Sequence, residues 1–280
     1  MSFTLSSDGT YYSVKASNRA ISGEVVIPST YEGLPVKELK DSAFASCLSL
    51  TSIIIPDSIT SIGYYAFSYC SSLTSINIPD SVTTIEDNAF TYCKALISAI
   101  IGNGVTSIGF YAFYGCEALT SVTIPDSVTS IGKNVFAECH NLLFVNLPNS
   151  ITDIPEAAFC SCNKLDNINI PNSVESINRY AFLNCDSLAS ISIPNGVTSI
   201  GYSAFTDCNS LTNVILKGKP TDIDEMAFAC SLELKKIYTI ENTGWQCGDT
   251  IGESNIPIEI LPVDGAVIAK KMSVKSMTIS

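Results

Sequence analysis

Apolar residues return along this chain with a period of 23. Counted from a phenylalanine at position 0, cysteine stands at +3, leucine at +6, isoleucine or valine at +9 and +11, proline at +12, valine at +15, isoleucine at +18 and alanine at +22. Serine, threonine, asparagine and aspartate fill most of the positions between. Phe44, Phe67, Phe90, Phe113, Phe136, Phe159, Phe182, Phe205 and Phe228 keep position 0 without a slip. Cys47, Cys70, Cys93, Cys116, Cys139, Cys162, Cys185 and Cys208 follow the first eight. A period of this length marks a solenoid, in which each unit buries its apolar side only against its neighbours.

One block, Phe67 to Ala89, predicts the elements. Leu73-x-x-Ile76-x-Ile78 alternates at its end, so +9 and +11 point inward and +8 and +10 outward on a strand. Pro79-Asp80-Ser81 then stops it, because proline withdraws a ladder donor and aspartate supplies turn hydrogen bonds. A short β-branched stretch follows, Ser-Val-Thr-Ser-Ile at Ser127–Ile131 and close variants in the other coils, and gives a second extended segment. The Ala-Phe-x-x-Cys segment has helical spacing and predicts an irregular or short helical turn that carries Phe and Cys inward. With one ladder strand per coil, nine coils make a rod about 40 Å long. Residues 1–40, where the repeat is stretched by five residues, are expected to cap the N-terminus. The array spans 41–239, and 240–280, with the sole tryptophan Trp245 and the strand-like Ile256–Leu261, form the C-terminal cap or tail.

The run Leu-Thr-Ser-Ile-x-Ile-Pro-Asp-Ser-Val-Thr-Ser-Ile-Gly-x-x-Ala-Phe-x-x-Cys, nearly complete in Leu119–Gly132 and Leu73–Ile85, resembles the BspA-like (bacterial surface antigen type) leucine-rich repeat over residues 41–216. It departs from the general leucine-rich pattern by having Ser58, Ser81, Gly104 and Ser127 where Asn or Cys would follow the strand. The resemblance implies a leucine-rich repeat solenoid of the α/β repeat class, β-rich, with nine 23-residue coils, a parallel β-sheet on the concave face and caps at both ends. It also implies a cell-surface or secreted protein that binds host or microbial proteins without catalysis. It carries over no binding residues.

Composition narrows the function classes. The net charge of −12, from 15 Lys+Arg against 27 Asp+Glu, lacks the footprint of a nucleic-acid binder or of an anionic-membrane binder. No stretch reaches the roughly 20 apolar residues of a spanning helix, so no direct membrane insertion is expected. The start, Met1-Ser2-Phe3-Thr4-Leu5, has neither a basic n-region nor an apolar h-region. No signal peptide or anchor is therefore read, and a cytoplasmic location stays open beside the surface one.

Candidate chemistry dissolves into the repeat. The ladder cysteines are expected to be buried free thiols, because parallel Cβ vectors on stacked rungs do not converge for bridging. Of the off-ladder Cys160, Cys230 and Cys247, the last two remain open to pairing at the C-terminal cap. No metal site is read, since Cys160-Ser161-Cys162 lacks the paired ligand spacing of zinc. His140 reads as a lone surface histidine, the +8 serines as a solvated strand face, and Gly63, Gly109, Gly132 and Gly201 as turn residues. No cofactor and no catalytic residue is expected.

Two surfaces break the pattern. Ile54, Ile97, Ile100, Leu143 and Phe144 put apolar side chains on the outward side of the strands, as a protein-contact patch or as packing between ladder neighbours. Tyr64, Tyr65, Tyr69, Tyr92, Phe110, Tyr111 and Tyr114 crowd three consecutive coils on the turn side, and tyrosine is enriched at binding hot spots. The expected partner is an unidentified protein and the expected state a monomer. The competing reading is a structural spacer that presents another domain.

Overall fold

The computed structural model describes residues 1–240, 243–246, 249–252 and 255–261. Cys247 and residues 262–280, about half of the C-terminal segment read as cap or tail, lie outside them. The chain winds as a parallel β-solenoid. Along one side Ser75–Ile78, Ser98–Ile101, Ser121–Thr123 and Phe144–Asn146 pair in parallel, each residue facing its equivalent 23 positions on: Ser75, Ser98, Ser121 and Phe144 form one row. Ser22–Val26 pairs with Ser49–Ile54 at the start of this ladder. Ser190–Ile193, Asn213–Leu216, Ile237–Ile240 and Ile256–Leu261 continue it towards the other end. The stack thus runs beyond the nine coils that carry phenylalanine.

The expectation of one strand per coil is corrected. The second extended segment is itself a ladder: Leu34–Leu39, Ser61–Ile62, Thr84–Ile85, Ser107–Ile108 and Ser130–Ile131 pair in parallel, and Asp153–Ile154 to Asp222–Ile223 repeat the arrangement. Isoleucine at +18 is β-branched and points into the core, which suits a half-buried strand. At the N-terminal end Ser2–Leu5 and Tyr12–Lys15 form an antiparallel pair that joins this ladder through Leu34–Leu39.

The helical turn is the second correction. Among the described residues there is no helix. The segment around each phenylalanine is a chain of tight turns with left-handed residues at two fixed positions, +21 and +2. Tyr65, Asn88, Tyr111, Asn134 and Ala157 are examples of the first; Tyr69, Tyr92, Gly115, Glu138 and Ser161 of the second, with φ from 52° to 67°. Amide groups alternate in their targets. Ala66, Ser68 and Cys70 donate three residues back within the coil, to Gly63, Tyr65 and Phe67. Tyr65, Phe67 and Tyr69 donate forward to the next coil, to the carbonyls of Asp87, Ala89 and Thr91 at 2.7–3.1 Å. A helix would consume all of these donors internally. Here alternate ones stitch coil to coil.

This stitching brings the rings into register. Every consecutive pair from Phe44 to Phe228 stacks with centroids 5.1–5.8 Å apart and planes within 16°. At that separation near-parallel rings are offset, the arrangement the aromatic quadrupole favours. Beside them each thiol from Cys70 to Cys208 donates to the phenylalanine carbonyl of the preceding coil at 3.1–3.2 Å. Where the repeat replaces cysteine, Ser231 makes the same bond to Phe205 at 2.7 Å. Truncating a central ring, Phe136→Ala, is expected to cost about 3–5 kcal/mol in urea unfolding. Phe228→Ala, at the last ring of the stack, is expected to cost less. Equal losses would contradict nearest-neighbour stabilisation.

Candidate interaction surfaces

The buried polar chemistry is structural. The ladder cysteines are free and buried; Cys160 is half-buried and Cys230 exposed. Burial pushes the thiols of Cys93, Cys116, Cys139, Cys162 and Cys185 well above the ordinary range, Cys208 to about 12 and Cys47 to about 11. A neutral, enclosed thiol is a poor nucleophile and metal ligand. Among the described residues no group of three His, Cys, Asp or Glu side chains could hold a metal ion.

His140 is not isolated. Its Nδ1 faces the Asn163 side-chain oxygen at 2.8 Å and the Ser161 carbonyl at 3.0 Å, both acceptors, so Nδ1 carries the proton. Asn163 donates to Asp186 at 2.8 Å, and Asn209 donates to the other oxygen of Asp186 at 2.7 Å. All four occupy +4, so the histidine belongs to a polar ladder, which the count from one coil to the next would have revealed. The +19 glycines are also reread. At Gly132 an added Cβ would lie 2.4 Å from the Phe110 amide nitrogen of the neighbouring coil, so glycine there permits close backbone approach.

The strand face carries all five apolar residues read for it in exposed positions. Ile54, Ile100 and Phe144 are 52%, 64% and 50% exposed, and Ile97 and Leu143 are comparable. They are not adjacent rungs. Ile100 faces Asn77 and Thr123 across the ladder, and Phe144 faces Ser121. Small polar residues therefore separate the coil of Ile54, that of Ile97 and Ile100, and that of Leu143 and Phe144, so these coils do not cover one another's apolar side chains. Val26, in register with Ile54, is exposed as well. It was missed because the five-residue stretch in the first coil hides its place in the repeat.

On the turn side Tyr64, Tyr65, Tyr69, Phe110 and Tyr111 are exposed, while Tyr92 and Tyr114 are half-buried. Tyr69 stacks on Tyr92 at 5.1 Å, and Tyr114 meets Tyr92 and Tyr111 edge-on at 5.2 and 5.6 Å. Much of this aromatic area is therefore spent within the cluster. Tyr65, Tyr111, Tyr69 and Tyr92 all stand at left-handed positions, which turns their side chains off the packed wall. Further along, Glu156 bridges Lys133 at 2.7 Å and Arg179 at 2.8 Å, and the bonds from Arg179 and Lys133 hold its carboxyl below the usual range. With Phe110, Asp153 and Asn178 these three line an open groove. Its two cations share Glu156, and its other carboxylate, Asp153, accepts from the Asn178 amide at 3.0 Å, so its charged groups are already committed to neighbours.

The sequence profile of the BspA type leucine-rich repeat region matches residues 37–166 and 152–247 in six copies. The chain belongs to the BspA type leucine-rich repeat family. No curated protein matches it in sequence. Among solved structures, it is similar to a leucine-rich repeat protein from Bacteroides ovatus, with 28% identity and a TM-score of 0.73 over 93% of this chain and 75% of that one. It is also similar to the T. pallidum leucine-rich repeat protein, with 27% identity and a TM-score of 0.61 over 75% of this chain and 87% of that one. A BspA type repeat array is a scaffold of the protein-interaction kind, and no helix among its described residues is long and apolar enough to cross a membrane.

The thiol ladder gives this scaffold a pH signature. Cysteines that ionise near pH 9 when unfolded, but nearer 12 when folded as at Cys208, favour the fold fully below pH 9 and withdraw that support as pH rises towards 12. The urea midpoint is expected to fall above pH 9. Replacing Cys139 and Cys162 by serine, which Ser231 shows can make the same bond, should flatten the decline. An identical alkaline profile in wild type and variant would contradict the assignment.

Proposed function

We propose that this protein is a non-enzymatic recognition module, displayed at a cell surface or secreted, that binds host or microbial proteins in an adhesin-like role. The observation that carries the reading is the strand face: Ile54, Ile97, Ile100, Leu143 and Phe144 stand exposed where the other outward residues between positions 49 and 146 are serine, threonine and asparagine. The ladder has already ordered the backbone that carries these side chains, so binding costs little backbone entropy. The aromatic cluster of Tyr64, Tyr65, Tyr69, Tyr92, Phe110, Tyr111 and Tyr114 is a second contact surface in this proposal. It is subordinate because several of its rings already pack on each other. The alternative function is a spacer that presents another domain and contacts nothing itself.

Immobilised protein should capture a discrete protein from host or bacterial extracts. Ile100→Asp with Phe144→Asp should abolish capture while the melting curve stays that of wild type, since both side chains are exposed. Capture that survives the double substitution would rule out the strand face. Absence of any captured protein would favour the spacer.

A further inference from the structure

We infer that the strand face receives an amphipathic α-helix lying along the axis of the stack, with an apolar seam of heptad spacing and basic residues on one flank. This rests on the proposal that the face is the protein-binding surface, and it assigns the partner's form.

The argument is one of matching periods. Ile54 and Ile100 both stand at +10 and are two coils apart; Phe144 stands at +8, two coils further on. The backbone bond from Thr74 to Thr51 at 3.1 Å keeps the coil of Ile54 in step with the next. Neighbouring rungs are about 4.8 Å apart, so each two-coil step is about 9.6 Å. A helix advances about 10.5 Å in seven residues. The shift from +10 to +8 moves Phe144 about 6.7 Å sideways along the strand, which makes the Ile54–Phe144 diagonal about 20 Å. Fourteen helical residues span about 21 Å. A helix inclined by roughly 20° to the axis passes over Ile54 and Phe144 and within about 3 Å of Ile100, inside a side chain's reach, so residues i, i+7 and i+14 meet the three anchors in the helix-in-groove mode of recognition. An extended peptide along the same line would present like-facing side chains every ~6.7 Å and would miss Ile100.

Relief and charge agree with this. Asn77 separates Ile54 from Ile100, and Ser121 and Thr123 separate Ile100 from Phe144, where Ile100, Ser121, Val122 and Thr123 help to line a shallow hollow. Between Ile54 and Phe144, ridges and hollows alternate at a two-coil step and accept the knobs of a heptad seam, while Val26 lengthens the first ridge by one coil. Three residues beyond the +10 row, Asp57, Asp80 and Asp126 form an exposed acidic edge, on a chain whose net charge is already −12. At the opposite edge Lys94 is paired with Glu117 at 2.8 Å and adds no net charge. The favoured helix is basic on the flank beside the aspartates.

The test uses a labelled helical peptide about three heptads long, with leucine at every seventh position and lysine along one flank, titrated against the full chain by fluorescence anisotropy. Two comparators carry glutamate for lysine, or the same leucines in a proline-broken extended sequence. The basic heptad peptide should bind saturably and at least about tenfold more tightly than either comparator. Ile100→Thr with Phe144→Ser should weaken it by a similar factor. Thr123 and Ser121 already occupy those two rows, so the variant keeps the ladder intact, which its melting curve verifies. No saturable binding, equal binding of the extended peptide, or indifference to the double substitution would overturn the inference. If the substitution abolishes capture from extracts but no helical peptide is preferred, the face remains the contact surface and the helical partner is wrong. If neither responds, both proposals fall.

Discussion

The tight-turn side of each coil keeps half of its amide groups for itself and gives the alternate ones to the coil that follows, and the rest of the molecule depends on this division. Tyr65, Phe67 and Tyr69 bond forward to Asp87, Ala89 and Thr91, and the same three positions do so coil after coil. Forward bonding on this side, with parallel ladders on the other two, leaves no freedom for one coil to slip against the next. A one-residue slip would put core-facing residues outside and outward-facing ones inside. The left-handed residues at +21 and +2 are what allow the alternation, since an unbroken right-handed run would close the donors into a helix.

Once register is locked, like residues meet like. The phenylalanine rings stack with near-parallel planes, and each ladder thiol from Cys70 to Cys208 finds the phenylalanine carbonyl of the preceding coil instead of standing as an unsatisfied buried group. The same logic governs the surface: threonine hydroxyls at +16, such as Thr83 and Thr106, cap the carbonyl one coil back, and His140, Asn163, Asp186 and Asn209 form a ladder of side-chain hydrogen bonds. Residues that would suggest catalysis or metal binding in another fold are here committed to neighbours. Among the side chains that remain uncommitted are apolar ones on the strand face, such as Ile100, which faces Asn77 and Thr123.

Much of this was legible in the sequence, for an identifiable reason. A 23-residue period read nine times averages away local ambiguity, so the inward positions of Phe, Cys, Leu and Ile, and the outward places of Ile100 and Phe144, followed from counting. The turn was misread because Phe and Cys three apart satisfy both a helix and a string of tight turns, and hydrophobic spacing carries no information about the sign of φ. A signal was present in Asn88, Asn134, Gly115, Asn184 and Asp207, residue types that tolerate left-handed backbone, at the two positions concerned. Tyr65, Tyr111, Tyr69 and Tyr92 at the same positions obscured it, because tyrosine there reads as a surface feature and not as a backbone one. The second ladder was underestimated because its strands are only two residues long in most coils, too short for alternation to show.

The left-handed turn can be tested by sign alone. Ser42 stands at +21 with φ 56°, is exposed, and donates its amide forward to Tyr64 at 2.7 Å. Urea unfolding of Ser42→Gly and Ser42→Ala compares two small residues that differ in their tolerance of left-handed backbone. The account predicts that the glycine variant is the more stable by about 1–2 kcal/mol, the cost of a Cβ in that conformation. An alanine variant more stable than the glycine variant by about 1 kcal/mol, the ordinary helical preference, would contradict it.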